Sequence, residues 1–180
     1  MKVTPTALPD VKLIEPRIFR DERGAFFESF NERAMAAFGL NATFVQDNHS
    51  FSHRGVLRGL HYQIAHAQGK LVRVVTGEVF DVAVDLRRSS PTFRRWVGAT
   101  LSASNRLMMW VPPGFAHGFV VRSDAADFLY KTTDYWYPEH ERTLLWSDAA
   151  LGIDWGLDGP PIVNAKDAVG TPLAAAETYP

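Results

Sequence analysis

The chain has 180 residues, of which 46% are hydrophobic and 22% are charged, and its formal net charge at pH 7 is -1. This length predicts a single domain over residues 1–180 with a hydrophobic core of its own. The small net charge argues against binding of nucleic acid or a membrane by bulk electrostatics, but it leaves room for a local anion site.

Cysteine is absent. Disulfides, thiolate zinc sites and cysteine nucleophiles are therefore excluded. The first ten residues lack the apolar core of a signal peptide, and no apolar run approaches the ~18 residues of a membrane span. We expect a cytoplasmic protein.

Most of the sequence alternates apolar and polar residues with period two, which predicts β-strands. In chain order the predicted strands cover residues 12–19, 25–30, 44–51, 55–63, 71–75, 80–86, 96–101, 106–111, 117–121, 128–133 and 143–146. One helix is predicted over residues 32–38, with Asn31 as its N-cap and Gly39 after its end.

Turn residues separate these strands. Thr76-Gly77 predicts a tight hairpin between its flanking strands, and the strand over 80–86 is predicted to be half-buried. The tail from Asp148 onward is predicted to be loop or short helix. Many short strands joined by glycine and proline turns predict an antiparallel double-sheet jelly roll.

The predicted strand over residues 55–63 carries Arg58 and His61, and Lys70 follows after a polar loop. Burying such groups is costly without a partner, so this strand indicates a site for an anionic or polar ligand. A structural histidine with two surface cations would give the same pattern. Alternation puts Arg58 and His61 on opposite faces, and Gly59 indicates either a cavity or a bulge.

Pro112, Gly114 and His117 have the spacing of the second motif of cupins, a class of jelly rolls in which this histidine is often a metal ligand. The first cupin motif contains His-x-His, whereas here Gln63 stands two residues after His61. Because a metal needs about three or more protein ligands, we expect no functional metal.

Three further segments carry candidate residues. Tyr130 is either a core residue or a proton donor, and residues 135–137 are either an aromatic rim or a platform for a nucleobase. The polar segment 164–167 matters only if the tail folds back onto the barrel. Signatures of dinucleotide, P-loop, serine hydrolase and zinc peptidase sites are absent.

Ten short motifs occur together along the chain. They are Asp21-Glu22-Arg23-Gly24, Phe26-Phe27-Glu28, Val45-Gln46-Asp47-Asn48-His49-Ser50, Arg58-Gly59-Leu60-His61, Lys70, Gly77-Glu78-Val79-Phe80-Asp81-Val82, Ala116-His117-Gly118-Phe119, Tyr130-Lys131, Gly152-Ile153-Asp154-Trp155 and Lys166-Asp167. In this set and order, from about Leu13 to Asp167, the chain resembles the dTDP-4-dehydrorhamnose 3,5-epimerase family.

The resemblance implies a cupin-type jelly roll that works as a homodimer without metal or organic cofactor. Its substrate would be dTDP-4-dehydro-6-deoxy-D-glucose. Inversion at C3 and C5 would give dTDP-4-dehydro-L-rhamnose, on the route to dTDP-L-rhamnose for cell-surface polysaccharide. Neither nucleic acid nor a membrane is implied as a partner.

The resemblance also implies roles for individual residues. His61 would be the general base, Asp167 its orienting carboxylate, Tyr130 the proton donor on the opposite face and Lys70 the group that stabilises the enolate. The substrate would be held by Arg23, Phe26, Glu28, Gln46, Asn48, Arg58, His117, Trp136, Glu141 and Lys166. Trp136 falls where relatives often stack a tyrosine on thymine, and the arm over residues 23–28 would reach a partner subunit's site.

The chemistry explains why these residue types fit. A 4-keto group acidifies the hydrogens at C3 and C5, and histidine, with a reference pKa of about 6.5, suits their removal near neutrality. A carboxylate on its far nitrogen favours the imidazolium that forms. An ammonium group stabilises the enolate oxygen more than the ketone.

Three alternative functions remain open, and each explains fewer features of the sequence than the 3,5-epimerase reaction does. A relative that inverts only C3 or only C5 would use similar residues. A metal-dependent cupin would need the missing His-x-His. A sugar-nucleotide-binding jelly roll without activity would explain the aromatic and basic rim, but not the combination of His61, Lys70, Tyr130 and Asp167.

Overall fold

Two antiparallel sheets packed face to face form the body of the protein in a computed structural model that describes residues 1–180. The strands are β1 (Lys2–Pro5), β2 (Lys12–Glu15), β3 (Phe19–Asp21), β4 (Gly24–Phe26), β5 (Gln46–His53), β6 (Leu57–Gln63), β7 (Lys70–Thr76), β8 (Glu78–Asp85), β9 (Trp96–Ser102), β10 (Met108–Val111), β11 (Phe115–Val121), β12 (Ala125–Thr132) and β13 (Glu141–Thr143). The helices are α1 (Glu32–Ala36), α2 (Ala165–Ala168) and a 3₁₀ turn at Pro138–His140.

The first sheet has six strands in the order β1-β2-β10-β7-β12-β5, and the second has five in the order β13-β6-β11-β8-β9. β3 and β4 pair only with each other, as a separate hairpin. Successive strands often lie in opposite sheets, which confirms the predicted double-sheet jelly roll. The structure has no helix with the length and apolar character that crossing a bilayer requires.

The predicted hairpin at Thr76-Gly77 is wrong. β7 belongs to the six-stranded sheet and β8 to the five-stranded sheet, so this turn carries the chain from one sheet to the other. Gly77 has φ +76°, and a Cβ there would lie 2.0 Å from the Ala125 carbonyl oxygen. The glycine is required by this crossing, which leaves no room for a side chain.

The space between the sheets is filled at one end by an apolar cluster and left open at the other. The cluster takes residues from both sheets, including Phe119 and Phe128, whose rings stack at a centroid distance of 4.1 Å. Outside the barrel, α1 and the segment after it cover the six-stranded sheet. The C-terminal segment covers the five-stranded sheet with Leu151, Trp155 and Leu173.

This C-terminal cover corrects the prediction for residues 80–86. Val82 and Val84 pack outward beneath the cover, while Asp81 and Asp85 on the other face are also fully buried. The strand is therefore buried on both faces rather than half-buried. Alternation alone could not reveal this, because the cover comes from a segment about 70 residues later in the chain.

A bulge in β6 corrects the faces predicted for its residues. In the pairing with β11, His61 lies opposite His117 and Arg58 opposite Phe119, so β6 contains one extra residue between them. The extra residue restarts the alternation. Leu57, Leu60 and Tyr62 consequently pack in the outer cluster, while Arg58 and His61 line the same interior cavity.

Gly59 permits this bulge. Its φ is +123°, and a Cβ there would lie 2.6 Å from the Cα of Gly118 on β11. Of the two explanations offered by the sequence, the structure supports the bulge with a close backbone approach.

Several element boundaries differ from the predictions. Residues 12–19 split into β2 and β3, the strand predicted over 25–30 ends at Phe26, and the one predicted over 143–146 begins two residues earlier, at Glu141. β1 was not predicted. The helix is confirmed in position: the Asn31 side chain accepts a hydrogen bond from the Ala34 amide, although the helix ends at Ala36.

Candidate active site

A polar cavity of about 230 Å³ opens at the end of the barrel opposite the apolar cluster. Its lining combines residues of both sheets with the loop after β12: Gln46, Asn48, His61, Tyr62, Gln63, Gln68, Lys70, Tyr130, Trp136 and Glu141. A second cavity of about 170 Å³ shares His61, Lys70 and Tyr130 with the first and is also lined by Ser50, Arg58, His117, Gly118, Phe119 and Phe128. The two cavities thus adjoin at the three shared residues.

His61 and Asp167 are hydrogen-bonded. The His61 Nε2 lies 2.7 Å from Asp167 Oδ1, and Asp167 Oδ2 accepts a 3.0 Å bond from the Gly59 amide. Burial acts to raise the pKa of the Asp167 carboxyl, but these bonds and the charges of His61 and Lys166 outweigh it and lower that pKa. Because a carboxylate can only accept, Nε2 carries the proton and Nδ1 keeps the free lone pair.

The C-terminal tail folds back to supply this carboxylate. Asn164 caps α2, since its Oδ1 accepts a 2.7 Å hydrogen bond from the Asp167 amide. Asp167 is fully buried behind His61, whereas Lys166 beside it remains half exposed and pairs with Glu141 at 2.8 Å. The polar segment 164–167 thus folds back onto the barrel and completes the site.

Lys70 is buried at the start of β7, across the cavity from β6. Its Nζ donates a 3.3 Å hydrogen bond to the His61 carbonyl oxygen. Burial lowers the pKa of Lys70 to about 8, against the opposing attraction of Asp81 and Glu141. An ammonium held in this way is poorly solvated, and it would interact strongly with negative charge that develops in the cavity.

Tyr130 faces His61 from the opposite sheet. It lies on β12, opposite Asn48 of β5 and Val72 of β7, and shares its inward face with Phe128. Burial raises the pKa of the Tyr130 hydroxyl, Glu141 adds to this effect and Arg58 opposes it. The phenol therefore keeps its proton at neutral pH.

A second histidine and carboxylate lie deeper in the barrel. His117 Nε2 is 2.9 and 3.0 Å from the two carboxylate oxygens of Asp81 on the neighbouring strand β8. Burial raises the pKa of Asp81, although His117 and Lys70 partly offset this. No group of three His, Asp or Glu side chains is placed to hold a metal ion.

The cavity mouth is formed by the loop that carries Trp136. Trp136 is 55% exposed, and its amide donates a 3.1 Å hydrogen bond to Gln46 Oε1. Gln46 Nε2 in turn donates to Asn48 Oδ1 at 2.9 Å. At the second cavity, the exposed Arg58 donates from Nε to Ser52 Oγ at 2.9 Å, and no acidic side chain pairs with its guanidinium.

Three predicted site residues lie away from the cavity. Arg23 and Phe26 border an exposed groove on the β3–β4 hairpin, where Arg23 pairs with Asp21. Glu28 accepts a hydrogen bond from the Asn31 side chain. The other predicted residues line the two cavities or contact a residue that does.

The sequence analysis missed Asp81 and the structural use of Gln63. Asp81 falls on the polar side of the strand predicted to be half-buried. Its alternation with Ala83 and Asp85 is the one signal that places it on the inward face. In the sequence Gln63 is only a departure from the cupin metal motif, whereas in the structure its side chain bonds three backbone groups of the cavity rim.

Comparison with known proteins identifies the family. A family model described as dTDP-4-dehydrorhamnose 3,5-epimerase matches residues 5–175. The chain belongs to this family. It is 62% identical over 181 residues to the dTDP-4-dehydrorhamnose 3,5-epimerase of Pseudomonas aeruginosa, with 100% of both chains covered.

Solved structures of epimerases with a similar fold agree with this family assignment. The fold superposes with a TM-score of 0.94 on a dTDP-6-deoxy-D-glucose-3,5-epimerase from Legionella pneumophila in complex with dTDP-4-keto-L-rhamnose, at 50% identity, covering 98% of this chain and 94% of that one. A 3'-monoepimerase from Streptomyces bikiniensis in complex with dTDP-quinovose gives 0.88 at 33% identity, covering 94% and 87%.

Proposed function

We propose that this protein is an isomerase that inverts C3 and C5 of dTDP-4-dehydro-6-deoxy-D-glucose to give dTDP-4-dehydro-L-rhamnose. The observation that carries the proposal is that His61 on one sheet, hydrogen-bonded to Asp167 of α2, faces Tyr130 on the other sheet, with Lys70 lining the same cavity. Enolate chemistry with inversion requires a base, an acid on the opposite face and a cation for the oxygen.

His61 is the base. Its free Nδ1 removes the hydrogen at C3 or C5, and the electrons of that C–H bond pass to the 4-oxygen as an enolate. Asp167 stabilises the resulting imidazolium through the 2.7 Å bond and fixes the ring tautomer. The Gly59 amide holds the other carboxylate oxygen, so the pair is fixed before substrate arrives.

Lys70 stabilises the enolate oxygen. Its ammonium is desolvated by the barrel before reaction, so no solvent must be reorganised as charge develops. Because the enolate carries more charge than the ketone, this interaction lowers the barrier more than it tightens ground-state binding.

Tyr130 returns a proton to the face opposite His61. Its raised pKa keeps the hydroxyl protonated, and its position on the facing sheet suits delivery from the other side of the sugar ring. The His61 imidazolium then releases its proton to solvent and the tyrosinate regains one, so that both groups are ready for the second carbon. One cycle at each carbon inverts both centres without any change in oxidation state.

The remaining residues of the cavity bind the nucleotide. Arg58, His117 and Lys166 supply charge and hydrogen bonds for a diphosphate, and Gln46, Asn48 and Glu141 supply polar groups for the sugar and nucleoside. Trp136 provides a flat exposed ring for thymine.

We further propose a homodimer in which the β3–β4 arm serves the neighbouring site. Two-stranded hairpins are marginal alone, and this one leaves Phe19 51% and Phe26 69% exposed. A partner subunit that covers these rings would bring Arg23, Phe26 and Glu28 to its own cavity. We assign the dimer to the cytoplasm.

Inversion at C3 alone is the second candidate, because the similar fold from Streptomyces bikiniensis is described as a 3'-monoepimerase. The test is an NMR time course with dTDP-4-dehydro-6-deoxyglucose in deuterium oxide. We expect solvent deuterium at both C3 and C5 and formation of the L-rhamno product. Deuterium at C3 alone would establish the second candidate, and no incorporation would refute both.

The same assay tests the proton donor. We expect Tyr130→Phe to lose inversion at C5 while hydrogen exchange continues, because His61 can still remove and return a proton on its own side. Unchanged epimerisation by this variant would exclude Tyr130 as the donor.

A further inference from the structure

Gln63 is a buried residue two positions after His61, and all polar atoms of its side chain bond backbone groups of the cavity rim. It is 3% exposed. Its Nε2 donates to the carbonyl oxygens of His66 at 2.7 Å and Tyr135 at 3.2 Å, and its Oε1 accepts from the Tyr137 amide at 2.8 Å. Two of these bonds are made to the residues on either side of Trp136.

Trp136 depends on its backbone for its position. The residue is 55% exposed, its ring forms no aromatic pair within the chain, and its amide is held by Gln46. A largely exposed ring without an aromatic partner takes much of its orientation from the adjacent peptide groups. In this loop those groups are fixed by Gln63 on both sides.

The loop after β6 is fastened through the same side chain. The His66 ring stacks on Tyr137 at 4.2 Å, and its Nδ1 lies 3.3 Å from Asp134 Oδ2. Gln63 therefore joins two loops that also contact each other. From the other side, the Tyr179 hydroxyl donates to the Gln63 carbonyl oxygen at 2.5 Å and connects the rim to the C-terminal tail.

We propose that Gln63 is a positioning residue that sets the affinity for the nucleobase by holding Trp136 at the cavity mouth. The inference rests on the proposed dTDP-sugar substrate. Gln63 acts through the loop and takes no part in the proton transfers, because both of its N–H groups and its oxygen are engaged by the backbone.

The test compares Gln63→Met with Asn105→Leu in the full-length protein. Methionine has a similar length and removes all three bonds. Asn105 is the matched control: its carboxamide also bonds three backbone groups, of Thr100, Ser102 and Leu107, but in the turn after β9. Calorimetry measures the Kd for dTDP and for inorganic pyrophosphate, which has no base.

For Gln63→Met we expect the Kd for dTDP to rise about ten-fold, within the range of a lost base–aromatic contact. The Kd for pyrophosphate and kcat at saturating substrate should change by less than about two-fold. Asn105→Leu should leave all three values unchanged. In a Trp136→Ala background, Gln63→Met should add less than about two-fold, because both changes act on one contact.

An unchanged Kd for dTDP would overturn the proposal, and so would an equal loss of pyrophosphate binding or kcat. If Gln63→Met does not fold, Gln63→Glu decides by the same measurements, because it keeps the acceptor and sets a carboxylate against two carbonyl oxygens. The assignment of the reaction is tested separately: deuterium incorporation by the unaltered protein can fail while the dTDP result for Gln63 stands.

Discussion

Two histidines lie side by side in the five-stranded sheet, each paired with a carboxylate, and the two pairs differ in exposure and in the origin of the carboxylate. His61 and His117 occupy opposite positions in the β6–β11 pairing. The His61 side chain is 26% exposed and meets a carboxylate from the C-terminal tail, whereas that of His117 is 7% exposed and meets Asp81 on the next strand. The same type of histidine–carboxylate pair thus occurs once at the partly exposed cavity and once in the buried interior of the barrel.

The pKa values of the two carboxyl groups are shifted in opposite directions. Hydrogen bonds from His61 and Gly59 hold the pKa of Asp167 below its ordinary value despite burial. Burial dominates at Asp81 and raises its pKa, although Lys70 and His117 oppose the rise. Asp167 is therefore placed to support an imidazolium on His61, whereas Asp81 is fully buried beside His117 and Lys70. We infer from this difference that His61 transfers protons and His117 binds.

Removal of each imidazole is the strongest test of this distinction. We expect His61→Ala to lower kcat by about 10⁴-fold, the upper end for general base catalysis. His117→Ala should raise KM while kcat falls much less, because it removes a group that contacts bound substrate. Steady-state kinetics in the NMR assay measures both variants.

The result would contradict the assignment if the two variants lost kcat equally, or if His117→Ala were the worse of the two. A circular dichroism spectrum and an unfolding curve for each variant serve as the control, since His117 is the more deeply buried residue.

Substitution of the carboxylates gives the next largest contrast. In Asp167→Asn the amide oxygen can still accept from Gly59, but the NH₂ group then faces His61 and favours the tautomer that lacks a free Nδ1 lone pair. We expect kcat to fall by about 10²-fold, the lower end for acid–base catalysis. Asp81→Asn should reduce kcat at pH 7 by only a small factor.

Equal kcat for Asp167→Asn and the unaltered protein would show that His61 needs no oriented partner. Exchange of solvent deuterium at C3 alone, followed under single-turnover conditions, separates this chemical step from product release.

The two pairs also show how far sequence reasoning reaches. Alternation predicts the β-strands, many short strands with turns predict the jelly roll, and the family resemblance implies the pairing of His61 with Asp167. Alternation does not predict correctly which residues of β6 point inward, because one extra residue at the bulge reverses the alternation after Gly59. Asp81 was hidden because the tail that buries the outer face of β8 is remote in sequence, and Gln63 because its partners are backbone atoms of distant loops.

The smallest predicted effect concerns the ammonium of Lys70, which bonds the His61 carbonyl oxygen and is attracted by Asp81. Burial lowers the pKa of Lys70 to about 8, Asp81 and Glu141 act to raise it, and Lys166 acts to lower it further. If the ammonium stabilises the enolate, kcat should fall as the pH rises through about 8, where Lys70 loses its proton.

Asp81→Asn removes one of the negative charges that favour the ammonium. The pKa of Lys70 should then fall below about 8, and the basic limb of the pH–kcat profile should move to lower pH by roughly one unit, the size that one nearby charge typically gives. Asp85→Asn is the matched control, because Asp85 is equally buried on the same strand but bonds Arg87, Ser90 and Thr92 instead. A limb that stays in place in Asp81→Asn, or moves equally in Asp85→Asn, would mean that Asp81 does not maintain the charge of Lys70 and that the second pair has no part in the chemistry of the first.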